Sequence, residues 1–329
     1  MRKLGKLRRR LVAGLCGAAL AIAATLLCSP TNAQGGRTLR IVVPLPPGGA
    51  GDIVGRELAD EVGHVPGLSV VIENRPGAGT IIGTEAVARA TPDGNTLLLN
   101  APYLLISPQL HKTQYDPLTS FAPICHLVSS PGVFVVNGKS PYRTLADLID
   151  DARARPGVLT LASVGPGTAQ HIGFEMLKRA ADVDLTYVPY PGGAPAINAL
   201  LGGHVTVVFA EYAPLSTHLK AGTLRALATS ARTRIEPLPD LPTVSESGYR
   251  DYEVDLWWGL FAPAKTPPQT VADLSRRFTD ALRAPALKAK LAAQGFSPVG
   301  RCGAEFAALL RRQYADYGRI IREAHLSGE

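Results

Sequence analysis

The sequence predicts an α/β protein of two lobes. Short β-branched runs alternate with helical spacings along the chain. Two glycine-rich turns, more than a hundred residues apart, each join such a run to a helical stretch. Two extended segments, 133–141 and 255–268, read as places where the chain leaves one lobe and returns.

The first 33 residues stand apart from the fold. Arg2, Lys3, Lys6, Arg8, Arg9 and Arg10 form a basic head, 11–27 is apolar or small throughout, and Thr31-Asn32-Ala33 precedes Gln34. That order predicts a cleaved secretory signal. A retained anchor is the alternative, since the apolar run approaches the length of a membrane span. Cys28 follows Leu27, a poor residue for a lipidation signal. The whole chain carries a formal charge of +7, six positive and no negative side chains lie in the first 33 residues, and the remainder is +1. The basic balance therefore belongs to the leader and argues for no nucleic-acid partner.

Residues 34–329 are long enough for two lobes of ordinary domain size. Strands are predicted over 38–43, 68–73, 96–99, 133–136, 158–162, 185–189, 205–209, 224–229 and 256–261. Helical spacing joins Val54, Leu58 and Val62, and again Ile172, Met176 and Ala180. Two long helical patterns, 269–283 and 304–324, close the chain, and Pro92-Asp93-Gly94 is a turn. The alternation favours largely parallel sheets. With both crossings as a two-strand hinge, one lobe is 34–136 plus 257–329 and the other is 137–256. Such a hinge permits closure around a ligand. Cys125 and Cys302 remain after export and can form a disulfide; two separate thiols are the alternative.

The first glycine turn is Pro44-Leu45-Pro46-Pro47-Gly48-Gly49-Ala50-Gly51-Asp52, after Ile41-Val42-Val43. The second is Ser163-Val164-Gly165-Pro166-Gly167-Thr168, after Val158-Leu159-Thr160-Leu161. A strand, a bare turn and a helix start put free backbone N–H groups at a positive dipole end, which suits an anion. Neither turn has the lysine of a nucleotide-binding P-loop. Asp52 reads as a helix cap, or as a partner for a ligand ammonium or water. Ser163 and Thr168 add hydroxyls; Thr168 also suits a cap, and His171 one turn on is expected to pack. Tyr190-Pro191-Gly192-Gly193-Ala194-Pro195-Ala196 repeats the theme, with amides at Gly192 and Gly193 and a hydroxyl on Tyr190. Either Trp257 or Trp258 walls the ligand site, or both pack in the core.

Gly77-Ala78-Gly79-Thr80-Ile81-Ile82-Gly83 imitates a dinucleotide fingerprint, but its spacing is one residue too long and the next strand ends in Asn100 rather than an acid. It is read as a tight turn with close helix packing. No nucleophile elbow, Ser-x-x-Lys or zinc-protease motif is present. The sequence therefore points to no enzyme, no metal and no cofactor. Glu175, Glu211 and Asp255 make an acid–base set only if tertiary structure gathers them.

A longer set of motifs runs in order along the chain. It comprises Pro44-x-Pro46-Pro47-Gly48-Gly49-x-x-Asp52, Val71-Ile72-Glu73-Asn74-Arg75-Pro76-Gly77-Ala78-Gly79 with Gly83, and Pro92-Asp93-Gly94-x-Thr96-Leu97-Leu98. Tyr190-x-Gly192-Gly193-Ala194, Leu224-Arg225-Ala226-Leu227-Ala228, Leu238-Pro239-Asp240-Leu241-Pro242-Thr243 and Trp257-Trp258-Gly259-Leu260-Phe261-Ala262-Pro263 follow. Together they resemble the tripartite tricarboxylate transporter receptors, also called Bug proteins, over essentially all of 37–325. The resemblance implies a periplasmic solute-binding protein of the type 2 two-lobe class, each lobe a mixed sheet flanked by helices. It implies a small organic anion, commonly a carboxylate, gripped through backbone groups and bridging waters at Pro47, Gly48, Gly49, Ala50, Ser163, Gly165, Gly167 and Thr168. Asp52 matches the family's aspartate. The implied partners are membrane permease subunits, with the receptor a monomer. A ligand sensor for a signalling partner, and more remotely an exported α/β hydrolase, are the alternatives. Thr206 and Ala210 stand where the family usually has acids. That implies a plain carboxylate rather than an amino acid, with Glu211 as a substitute only if the register shifts.

Overall fold

The structure is a computed structural model that describes residues 37–165, 168–250, 252–254, 256–323 and 326. The expected export signal over 1–33, Gly167 and Asp255 lie outside the described residues. The strands are β1 (Arg37–Val43), β2 (Leu68–Asn74), β3 (Thr96–Asn100), β4 (Phe121–Ser130), β5 (Gly132–Asn137), β6 (Thr160–Val164), β7 (Thr186–Tyr190), β8 (Val207–Glu211), β9 (Leu224–Thr229), β10 (Leu256–Pro263) and β11 (Ser297–Cys302). The helices are α1 (Ala50–Gly63), α2 (Ile81–Ala88), α3 (Tyr103–Leu110), α4 (Leu145–Ala154), α5 (Ala169–Ala181), α6 (Gly193–Leu201), α7 (Tyr212–Lys220), α8 (Pro268–Arg283), α9 (Pro285–Ala293) and α10 (Gly303–Glu323).

The strands form two mixed sheets, ordered β11-β4-β10-β3-β1-β2 and β7-β6-β8-β5-β9. Each has a parallel half, β2-β1-β3 in one and β7-β6-β8 in the other. At the edge of the first sheet β11 pairs antiparallel with β4, and directly beside each parallel half stands one antiparallel strand, β10 in the first sheet and β5 in the second. These are the strands that follow the two crossings, so a chain arriving from the other lobe runs against its neighbours. The expected largely parallel sheets are mixed for that reason.

Both faces of each sheet are covered, which explains the continuous apolar strands. On β1, Leu39, Ile41 and Val43 point to one core and Val42 to the other. On β10, Trp258, Leu260 and Ala262 point to the first core, and Trp257 and Phe261 to the second. The second sheet repeats this, with Phe134, Val136, Val207 and Phe209 on one face and Val133, Val135, Val208 and Ala210 on the other. This is the period-2 alternation of a strand buried on both sides.

The chain passes between sheets at Pro131, between β4 and β5, and again just before Leu256. The segment 133–141 expected as a crossing therefore lies inside the second sheet and the turn after it. Arg225 ties that turn by donating to the carbonyls of Gly138, Ser140 and Tyr142. The expected boundary at 136/137 falls within β5, which pairs with β8 and β9 from its first residues. At the crossing, the Ser230 amide donates to Gly132 O at 2.8 Å and the Val254 amide to Ser230 O at 3.1 Å, so the two passing segments are stitched together.

Two strands were not expected. β4 contains Pro123 and His126, and β11 contains Pro298 and Gly300. Such residues break the local strand signal; the pairing between the strands supplies what the pattern lacks. Cys125 and Cys302 face each other across that pair and form a disulfide. The helical spacing in 172–180 is also corrected. On α5 the buried face is Ile172, Phe174, Leu177 and Ala181, while Ala180 is exposed.

Candidate functional site

The first glycine turn does lead into a helix. Gly49 is the N-cap of α1 and no side chain caps it, so the first-turn amides keep their donors for something else. Gly48 has φ of +82°, a conformation that favours glycine. Asp52 is not the cap, although the sequence suggested it. It sits on the first turn, where its Oδ2 accepts the Gly48 amide at 3.0 Å and Nε–H of Arg56 at 3.0 Å. Burial works to raise the Asp52 carboxyl, and the bonds from Arg56 and Gly48 outweigh it and hold it below the usual range. Asp52 thus stiffens the turn from behind, and it takes the Gly48 amide with it.

The second turn is arranged otherwise. Strand β6 begins two residues later than expected and runs through Val164, because its residues pair with β7 up to Val164↔Tyr190. Ser163 is therefore a strand residue, fully buried, with its hydroxyl donating to Val164 O at 3.0 Å. Thr168 is the N-cap of α5: its Oγ1 accepts the His171 amide at 3.1 Å and donates to Val164 O at 3.0 Å. The Gly165 amide donates to Tyr190 O at 2.8 Å. These expected ligand donors are turned onto the protein's own backbone. His171 is buried and stacked on Tyr187 with ring centroids 4.3 Å apart. Burial pushes it down to about 4, with the Lys178 charge adding to this, so it stays neutral.

The third turn resembles the first. Gly192 is the N-cap of α6, again with no side-chain cap. It faces the first turn closely: a β-carbon on Gly192 would stand 3.0 Å from Cδ of Pro46. A β-carbon on Gly48 would stand 3.7 Å from Cβ of Ala194. The two uncapped helix starts, one from each sheet, thus meet across the cleft.

Between them lies a small cavity of about 20 Å³, with Pro46, Gly49 and Ala50 on one side and Gly192, Gly193 and Ala194 on the other. Trp258 forms a wall and packs so closely on α1 that a β-carbon at Gly51 would lie 2.4 Å from its ring. Trp257 faces the opposite way, donating its indole N–H to Gln313 at 2.8 Å in the core beneath α10. The floor is a polar chain that crosses between the sheets. Tyr103 Oη donates to Gln170 Oε1 at 3.1 Å, Gln170 Nε2 donates to Glu211 Oε1 at 3.4 Å, and Trp258 Nε1 donates to Glu211 Oε2 at 2.7 Å.

Glu211 reaches the cavity because β8, like β6, runs two residues later than expected and pairs Glu211 with Gly132. Burial pushes its carboxyl up to about 7, against the bonds from Trp258 and Gln170 that favour ionisation. Thr206, by contrast, lies before β8 at the strand's other end, with its amide on Thr160 Oγ1 at 2.9 Å. Glu175 pairs with Lys178 on α5, so no acid–base set forms between it and Glu211.

The other space in the cleft lies beyond Leu45 and Val164. Gly77 to Ile81, His111, Lys112, Gly165 and Tyr190 line it. The turn there is structural in the way expected: a β-carbon on Gly83 would stand 2.6 Å from Arg75 O.

Comparison with known proteins gives the same fold and cleft a family. The model of the tripartite tricarboxylate transporter family receptor matches residues 54–326. The chain belongs to that family. It is 32% identical to BugT of Bordetella pertussis over 92% of this chain and 94% of that one. The periplasmic binding protein BugD superposes with a TM-score of 0.84 at 33% identity, over 88% of this chain and 98% of that one. Rpa4515 of R. palustris, solved with adipate, superposes with a TM-score of 0.85 at 30% identity, over 91% of this chain and 99% of that one. This member is therefore a two-lobe solute-binding fold of the periplasmic type.

Of the family residues named from the sequence, Gly49, Ala50, Gly192 and Gly193 line the interlobe cavity together. Pro47 and Gly48 are exposed on the turn beside it. Gly165 and Tyr190 line the wider space, and Ser163 and Thr168 support the second turn from within. Tyr103 and Gln170 had no sequence signal: one opens a helix after a buried strand, the other sits next to a capping threonine. Only tertiary packing shows that they touch.

Proposed function

We propose that this chain is an extracytoplasmic receptor that captures a small organic carboxylate between its lobes and delivers it to the membrane subunits of a tripartite transporter. One observation carries the reading. Two uncapped helix N-termini, on α1 and α6 and from opposite lobes, converge on one cavity. Backbone donors at a positive dipole end suit an anion, and exclusion of water on closure strengthens each bond. The adipate in Rpa4515 supports a carboxylate as the class. The lobes in this reading are 37–130 with 256–323, and 132–254, joined by the paired crossings. Cleavage of 1–33 places the mature receptor in the periplasm.

The test is thermal unfolding with a carboxylate panel, on protein unfolded and refolded to strip bound solute. A ligand at about a hundred times its Kd stabilises by about 2.7 kcal/mol, a readable rise in Tm. Absence of a rise with every member of the panel overturns the reading.

A further inference from the structure

Two hydrogen bonds beneath the helix starts run from one lobe to the other. In the receptor reading, Tyr103 and Trp258 belong to the lobe of 37–130 with 256–323, and Gln170 and Glu211 to the lobe of 132–254. Tyr103 Oη donates across to Gln170 at 3.1 Å, and Trp258 Nε1 donates across to Glu211 at 2.7 Å. Gln170 joins the two by donating to Glu211 at 3.4 Å. The Ser130 hydroxyl, at the end of β4, also faces the carboxyl and favours its ionised form. All five side chains are buried, and the cavity of about 20 Å³ beside them has room for a single water molecule. Their hydrogen-bonding capacity is thus met by one another. A rotation that parts the lobes breaks both crossing bonds, since neither survives beyond about 3.6 Å. It also lets water reach Glu211 on the side that Trp258 and Tyr103 cover.

Resting on the receptor reading above, we propose that the Tyr103–Gln170 and Trp258–Glu211 bonds form a proton-sensitive latch, made as the lobes close and broken as they part. The sign follows from burial. Closed lobes push the Glu211 carboxyl up to about 7, and hydration in open lobes returns it toward 4.5. Closing therefore takes up a proton between those values, and acid favours the latched form. From pH 8 to pH 6 the ratio of closed to open rises about tenfold. Among the described residues lining the cavity, Tyr103 is the other titratable group that faces Glu211, and burial holds it neutral. Helices α1, α5, α6 and α7 and strand β10 present no charged side chain there, and Lys112 and His111 line the neighbouring space instead.

Exchange of the Trp258 indole N–H with solvent, followed by NMR on ligand-free protein, tests this. The chain has two tryptophans, and Trp257, whose indole N–H is bonded to Gln313 instead, is the internal reference. Relative to Trp257, exchange at Trp258 is expected to be about tenfold slower at pH 6 than at pH 8. Backbone amides at 49–51 and 192–194, corrected for the intrinsic effect of pH, should slow by the same factor, because the same parting of the lobes exposes them. Glu211→Gln keeps the side-chain shape and an oxygen for Trp258, and in it both responses should be flat with pH. Tyr103→Phe keeps the ring and loses the bond to Gln170, and it is expected to quicken Trp258 by about threefold or more at both pH values. A wild-type ratio that does not change with pH, or a Trp258 response that the amides at 192–194 do not share, overturns the latch. The wild-type profile and Tyr103→Phe decide the matter even where Glu211→Gln does not fold. No ligand is used, so this failure is read apart from failure of the carboxylate panel, which would overturn the receptor reading instead.

Discussion

Glu211 responds to pH with the opposite sign to a salt-bridged surface carboxylate. Its folded value is about 7 and its reference value is 4.5. The native state therefore holds the proton more tightly than the unfolded chain. The stability this contributes is fully present below about pH 4.5 and is lost as pH rises to about 7. The shift corresponds to roughly 3 kcal/mol. Denaturation of wild type and Glu211→Gln across pH 4 to 8, without ligand, should show wild type losing roughly that much relative to the variant. Parallel profiles would mean that the carboxyl is not desolvated as described. Asp52 makes the contrast: it is also buried, but Arg56 and the Gly48 amide hold it ionised. Both acids were visible in the sequence, and their opposite behaviour was not, because it depends on which neighbours the fold delivers.

At the scale of elements, the glycine turns were legible because a turn's chemistry is local. The extended stretch, the bare glycines and the helix that follows are all adjacent in sequence. Where each strand ends was not legible. Strands β6 and β8 both run two residues later than their apolar patterns suggested, since pairing with β7 and β5 sets the ends. That shift moves Ser163 into a strand and brings Glu211 to the cavity. The pairing of β4 with β11 was equally out of reach, as proline and glycine mask both strands. The disulfide between them joins residues 177 apart in sequence, so it restricts the unfolded chain strongly. Replacing Cys125 and Cys302 together by serine should lower unfolding free energy by about 2–5 kcal/mol in urea titrations. Ligand affinity should change less than threefold, because the bond ties the edge strand β11 and not a cavity wall. A large loss of affinity with little loss of stability would contradict this placement.

Across the whole molecule, the two sheets repeat one plan, and the two crossings run side by side. Helices α3 and α10 add a brace that the sequence did not announce. Leu104, Leu105 and Phe306 pack beneath the first sheet, while Ile106 and Ile321 from the same helices reach the core of the second. In the receptor reading, closure is expected as a rotation about this braced side. Amide exchange followed by mass spectrometry should slow at 49–51 and 192–194 together when a bound compound is added. At about a hundred times Kd the expected slowing is roughly a hundredfold, with the sheet cores unchanged. Protection confined to one of the two turns would argue against a ligand held between lobes.

By itself the sequence determined what local chemistry determines. It settled the alternation of strand and helix, the glycine turns that open helices and, through ordered motifs along the chain, membership of the receptor family. The tertiary structure alone decided which amides remain free, which are consumed by Asp52 and Tyr190, and which tryptophan lines the cavity between the helix starts. It also placed a buried acid opposite the helix starts. Those outcomes depend on strand register and on contacts between residues far apart in the chain, and burial sets the charge and donors of each group only after such contacts exist.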